Sequence, residues 1–186
     1  MRTLQLCCSS ALAAVLALQP LSAAAADEYT DSELSADIVT LVMPFATYGI
    51  AKSKDDDAGE GQFLRSTGVS LVVNTLLRGA FNETSWGTRP NGRPYGFPSG
   101  HAAFVTSSAA FLQDRYGWKY GVPAYALVGY VSNVRIQSNH HRWRDIGAGV
   151  ALSVGVSMLF VTPKDATHIA PIVGPDWLGI RIERSF

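Results

Sequence analysis

The chain has 186 residues, enough for one domain with a buried core. Its 15 Lys and Arg balance 15 Asp and Glu, so the formal net charge is zero and nothing in the composition advertises a nucleic-acid partner. Any cationic site must therefore be assembled by the fold.

The chain opens with Met1-Arg2, a short apolar stretch from Leu12 to Leu18, and small residues from Ser22 to Ala26. That order predicts a secretory signal peptide over 1–26, leaving a domain over 27–186. A membrane anchor is the alternative. Cys7 and Cys8 both fall in this segment, so the mature domain has no disulfide or thiolate chemistry. A lipoprotein attachment at either cysteine would have almost no apolar stretch ahead of it. Export and a cysteine-free domain point to the periplasm or the periplasmic face of the inner membrane.

After a polar lead from Asp27 to Ser35, an apolar segment runs from Ile38 to Ala51. Lys52 to Gly61 reads as a solvated loop, with a metal-binding loop as the alternative; its carboxylates lack a spaced ligand pattern. Ser66 to Leu77 has a helical pattern and delivers Arg78 at its end. Asn82 to Phe97 is rich in Asn, Gly and Pro and reads as a loop. Ser99 stands where a helix N-cap belongs, ahead of His101 to Gln113. Gly117 to Val122 interrupts the pattern, Ala124 to Val134 forms the next helix, and a last one runs from Asp145 through Val161 to a stop at Pro163. Gly179-Ile180-Arg181-Ile182-Glu183 alternates, so a terminal strand or hairpin is expected. The whole reads as all-α: a compact bundle of five to six helices with a short β-like C-terminal tail.

Only Ile146 to Val161 approaches the roughly 20 apolar residues that span a bilayer. The other segments are shorter and flanked by Asp37, Asp114, Arg115 and Lys119. Buried bundle helices share that pattern, so membrane association stays an expectation beside a soluble domain.

Three clusters carry the chemistry: Arg89-Pro90, Pro98-Ser99-Gly100-His101, and Arg135 followed by His141 and Asp145. Few reactions need several guanidiniums, two imidazoles and one carboxylate. Phosphoryl transfer through a histidine nucleophile fits best, because arginine forks neutralise phosphoryl oxygens in pairs. One imidazole attacks phosphorus and the other protonates the leaving oxygen.

The order Arg-Pro, Pro-Ser-Gly-His, Arg-x5-His-x3-Asp resembles the type 2 phosphatidic acid phosphatase superfamily, which includes lipid phosphate phosphatases, nonspecific acid phosphatases and vanadium haloperoxidases. The match runs from Arg78 to Val161. The resemblance implies a phosphatase that needs no metal or other cofactor. His141 would be the nucleophile, Asp145 the carboxylate on its other ring nitrogen, and His101 the acid and later the base. Arg89 and Arg135 would hold phosphoryl oxygens, with the Ser99 hydroxyl and the Gly100 and His101 amides at a helix N-terminus. The family's lysine seven residues before the Arg-Pro arginine is Asn82 here. Arg78, four residues further upstream, is expected to replace it. Val134 stands where a serine often precedes the third-motif arginine.

The implied substrate is a phosphorylated lipid or a small phosphate ester. A soluble periplasmic acid phosphatase is the second reading. A haloperoxidase would ask for a longer chain. A zinc module built from His101, His140, His141 and Asp145, or a non-catalytic phosphate binder, are the readings from other classes. His140 reads as a supporting or surface residue and His168 as a surface one. Arg93 reads as loop solvation or a substrate contact, Arg142, Trp143 and Arg144 as a headgroup-binding or a plain structural rim, and Trp86 and Tyr95 as pocket lining or packing of the loop.

Overall fold

A computed structural model describes residues 30–164, 167–173 and 178–184; the expected signal peptide lies outside the described residues. Five helices appear among them: α1 (Asp31–Ser53), α2 (Asp57–Phe81), α3 (Gly100–Tyr116), α4 (Trp118–Gln137) and α5 (Trp143–Phe160). An antiparallel hairpin follows, β1 (Thr167–Val173) with β2 (Leu178–Arg184), pairing Thr167 opposite Arg184 and Val173 opposite Leu178. The all-α bundle and the β tail are thus as expected.

Several boundaries differ from the sequence reading. Helix α1 starts seven residues before the apolar segment does, because Thr30 and Glu33 form a capping box: the Thr30 hydroxyl accepts from the Glu33 amide, and the Glu33 carboxylate accepts from the Thr30 amide. Lys52 to Gly61 is not a solvated loop. Asp56 caps α2 by accepting from the Gly59 amide, and Asp57 and Glu60 lie in the first turn, where acids suit the helix dipole. Asp56 is also buried, paired with Arg115 through a 2.8 Å bond from Nε and a second from Nη2. Gly117 alone, at φ +79, makes the break before α4, which then begins at Trp118 and carries Pro123 inside it.

Helix α3 is the centre of the bundle and packs against all four others. Its Val105, Ala109 and Phe111 are fully buried, and Phe111 meets Phe63 of α2 at 5.1 Å between ring centroids. Small residues bring α5 close to the start of α3. A Cβ on Gly149 would lie 2.6 Å from the Ser99 carbonyl oxygen, so only glycine allows this approach. The Ser99 amide donates to the Asp145 carbonyl at 2.9 Å, and the Ser153 hydroxyl to the Ala103 carbonyl at 2.7 Å. The beginnings of α3 and α5 are therefore locked together, and both carry motif residues. A cleft of about 660 Å³ lies at the far ends of the same helices, lined by Asp56, Arg115 and Lys164, away from the histidines.

Candidate active site

The loop of residues 82–98 crosses the mouth of the bundle between α2 and α3. Phe81, Trp86 and Phe97 pack into an aromatic knot, with Trp86 and Phe97 rings edge-on at 4.9 Å. Arg144 lies over Trp86 at 4.8 Å, and Arg142 donates to the Thr88 carbonyl at 2.8 Å. Arg142, which caps α5, and Arg144 in its first turn hold the loop down, whereas Trp143 is exposed.

That loop presents the Gly96 carbonyl to His141. The His141 ring is buried, and its Nδ1 lies 2.8 Å from Gly96 O. A carbonyl only accepts, so Nδ1 carries the proton and Nε2 keeps its lone pair. Burial pushes the His141 pKa below its usual value, Arg89 and His101 add to this, and Asp145 and the Gly96 carbonyl oppose it. The result is a neutral, oriented imidazole.

Asp145 sits 3.9 Å from the same Nδ1, beyond hydrogen-bond reach. As the third residue of α5 it reaches back to accept from the Arg142 amide at 2.7 Å. Burial resists its ionisation, but the His141 ring, the Arg142 amide and Arg144 outweigh that and hold it below the usual carboxylate range. Asp145 therefore places a fixed negative charge beside His141 while the backbone carbonyl sets the tautomer.

Three arginines converge here. Arg78, in the last turn of α2, sits over the start of α3: its Nη1 would be 3.2 Å from a Cβ on Gly100. Its Nη2 donates to the Tyr95 carbonyl at 3.3 Å. Asn82 is occupied elsewhere, accepting from the Tyr95 amide and donating to Glu83. Burial, then the charges of Arg78 and Arg93, push Arg89 down to about 10. Arg78 Nε and Arg89 Nε are buried with no hydrogen-bond partner among the described residues. Arg135, on the last turn of α4 and 4% exposed, points its Nη2 at Asp37 Oδ1 of α1. Its carbonyl accepts from the His140 and His141 amides and so anchors the turn that carries His141.

His101 lies in the first turn of α3, half-buried. Burial, Arg89 and Arg78 push its pKa down to about 4, and the Asp37 carboxylate lies 3.0 Å from its Nε2. Ser99 is fully buried; its Oγ caps α3 by accepting from the Ala102 amide at 3.4 Å. His140 turns to Glu33 of α1 at 3.4 Å. Two contributors were missed by sequence reasoning. Gly96 acts through a carbonyl, which has no residue signature, and Asp37 reads in the sequence only as a charge flanking an apolar segment. Among the described residues no group of three or more His, Cys, Asp or Glu is arranged to hold a metal ion.

No protein-family model matches the chain, and no solved structure matches it. Three curated proteins of Helicobacter pylori do. A lipid A 4'-phosphatase is 28% identical over 128 residues, covering 64% of this chain and 65% of that protein. A lipid A 1-phosphatase is 29% identical over 103 residues, covering 53% and 54%, and the same enzyme from a second strain is 31% identical over 84 residues, covering 45% and 44%. The chain thus matches between just under half and just under two thirds of these relatives' lengths. It is similar to bacterial lipid phosphatases at modest identity.

Proposed function

We propose that the chain is a metal-independent phosphatase that removes a phosphate monoester from a lipid phosphate, lipid A or a related amphiphile, outside the cytoplasm. The observation that carries this reading is the pair of buried, unbonded guanidinium donors, Arg78 Nε and Arg89 Nε, beside a neutral histidine whose tautomer is fixed. Buried donors without partners are rare, and a phosphoryl group would satisfy them.

The mechanism follows from those groups. The His141 Nε2 lone pair attacks phosphorus as the bond to the leaving oxygen breaks. His101 gives that oxygen its proton, and phosphohistidine remains. A water then attacks phosphorus, His101 takes its proton, the P–N bond breaks and inorganic phosphate leaves. Arg78, Arg89 and Arg135 neutralise the non-bridging oxygens throughout, with Gly100 and His101 amides at the α3 N-terminus. Arriving phosphate charge counters the arginines that depress His101 and so favours its protonated, acid form.

The lipid preference rests on the similarity to lipid A phosphatases and on apolar side chains left uncovered. Helix α1 is long and apolar enough to cross a membrane, and Phe45 on it is 71% exposed.

The test is phosphate release from a panel of lipid A, phosphatidic acid, phosphatidylglycerol phosphate, isoprenyl diphosphate and nitrophenyl phosphate. His141→Ala should abolish turnover on every substrate. His101→Ala should lower kcat by about 10²–10⁴-fold, the usual contribution of a positioned acid. Turnover that survives His141→Ala would refute the assignment.

A further inference from the structure

The carboxylate of Asp37 lies against two donors that the proposed mechanism uses. Its Oδ1 lies against Arg135 Nη2 and 3.0 Å from His101 Nε2. Under the proposed reading, Arg135 holds a non-bridging oxygen and His101 protonates the leaving oxygen. One oxygen of α1 therefore stands where two oxygens of a bound phosphate ester would bond.

The pair is lopsided. Arg135 is 4% exposed and its carbonyl is built into the turn that carries His141, so the guanidinium is fixed. Asp37 is 36% exposed, and its neighbours Leu34 and Ile38 on α1 are exposed too. The carboxylate has room to swing out and the arginine does not. A phosphoryl dianion and a carboxylate cannot share the same donors, since like charges at that distance repel.

We propose that Asp37 is a resident competitor of the phosphoryl group: it holds Arg135 and His101 in the empty site, is displaced by substrate, and returns as inorganic phosphate leaves. This inference rests on the phosphatase reading only for the roles of Arg135 and His101. It predicts a site that binds free phosphate weakly and turns over without product clinging to it. A residue that merely oriented His101 would behave in the opposite way, since its loss would weaken turnover without tightening anion binding.

Orthovanadate, which has the shape and charge of phosphate, is the probe. Its Kd is measured by titration calorimetry on the full chain and on Asp37→Asn and Asp37→Ser. The expected result is binding about tenfold tighter in both variants, a tenfold change being 1.4 kcal/mol. Unchanged or weaker binding overturns the proposal. Should both variants fail to fold, labelling of wild-type Asp37 by carbodiimide and glycinamide, read by mass spectrometry, decides. Vanadate should raise the labelling; constant or reduced labelling overturns the idea. Vanadate affinity needs no turnover, so the two readings fail separately. A chain that hydrolyses no ester yet binds vanadate tighter without Asp37 sinks the phosphatase reading alone. His141-dependent hydrolysis with unchanged vanadate affinity sinks the competitor alone.

Discussion

At the scale of single residues, the orientation of His141, the proposed nucleophile, depends on a backbone oxygen. Gly96 O fixes the His141 tautomer at 2.8 Å, and Gly96 itself is hemmed in. A Cβ there would come within 3.0 Å of Gly87 O and 3.1 Å of Arg89 N, so Gly96→Ala must push its own segment or Arg89 aside. A misplacement near 1 Å costs about 10²-fold in rate when a reacting group is held by position. Gly96→Ala needs a shift of only a few tenths of an ångström, so it should lower kcat by less than that factor, about several-fold, and the His141 ring resonances in NMR should shift with it. Wild-type kcat in that variant would show that the carbonyl does not position the ring. Sequence reasoning brought His101, His141, Arg89, Arg135 and Arg78 forward, and the fold gathers them at the starts of α3 and α5 and the ends of α2 and α4. It assigned the orienting contact to Asp145 because side chains leave a pattern in sequence and a carbonyl does not. Asp37 was passed over for a similar reason: its importance comes from α1 crossing Arg135, a contact 98 residues apart in the chain.

At the scale of elements, periodicity located the helices and misplaced their ends. The apolar pattern marks only the apolar stretch of a helix and leaves out its polar first turns. The Thr30-x-x-Glu33 box, legible in principle, starts α1 well before that stretch. The charged run after α1 looked like a loop because its buried partner, Arg115, lies 59 residues away on α3. That pair makes a stability prediction. Burial alone would raise the Asp56 pKa, but the bonds from Arg115, Tyr116 and the Gly59 amide hold it far below the usual carboxylate range. A depressed carboxylate adds stability above its unfolded value of about 3.9, and that stability is lost as pH falls below it. Asp56→Asn leaves Arg115 buried and uncompensated, which costs about 3–5 kcal/mol. Chemical unfolding at pH 7 should show that loss, and the variant should lose less than wild type between about pH 4 and pH 2. Equal slopes in the two proteins would mean that another carboxylate governs the acid limb.

At the scale of the whole molecule, the site opens beside a surface that water does not favour. Leu34, Ile38, Leu41, Val42 and Phe45 recur at helical spacing on α1 and are all exposed. Trp118, Val122, Leu127 and Tyr130 are exposed on α4, which packs against α1. Monomeric soluble proteins seldom leave a contiguous apolar area of this kind uncovered. The stripe shares its helix with Asp37, so the element that meets Arg135 and His101 also carries the apolar face. An amphiphile whose chains meet α1 and whose phosphate enters between Arg135 and His101 would use both. Burying one such side chain in an apolar phase contributes about 1.5–3 kcal/mol when complete, less for these half-exposed ones. Replacing Leu41, Val42 and Phe45 together with Gln should thus weaken flotation with phosphatidylethanolamine–phosphatidylglycerol vesicles by about 10²-fold. Hydrolysis of nitrophenyl phosphate should stay within a factor of two, because the three are exposed and none supplies a polar group to the site, while hydrolysis of a lipid phosphate in vesicles falls with binding. Undiminished vesicle binding would assign the apolar face to protein contacts, and the soluble acid phosphatase reading would then account better for the site.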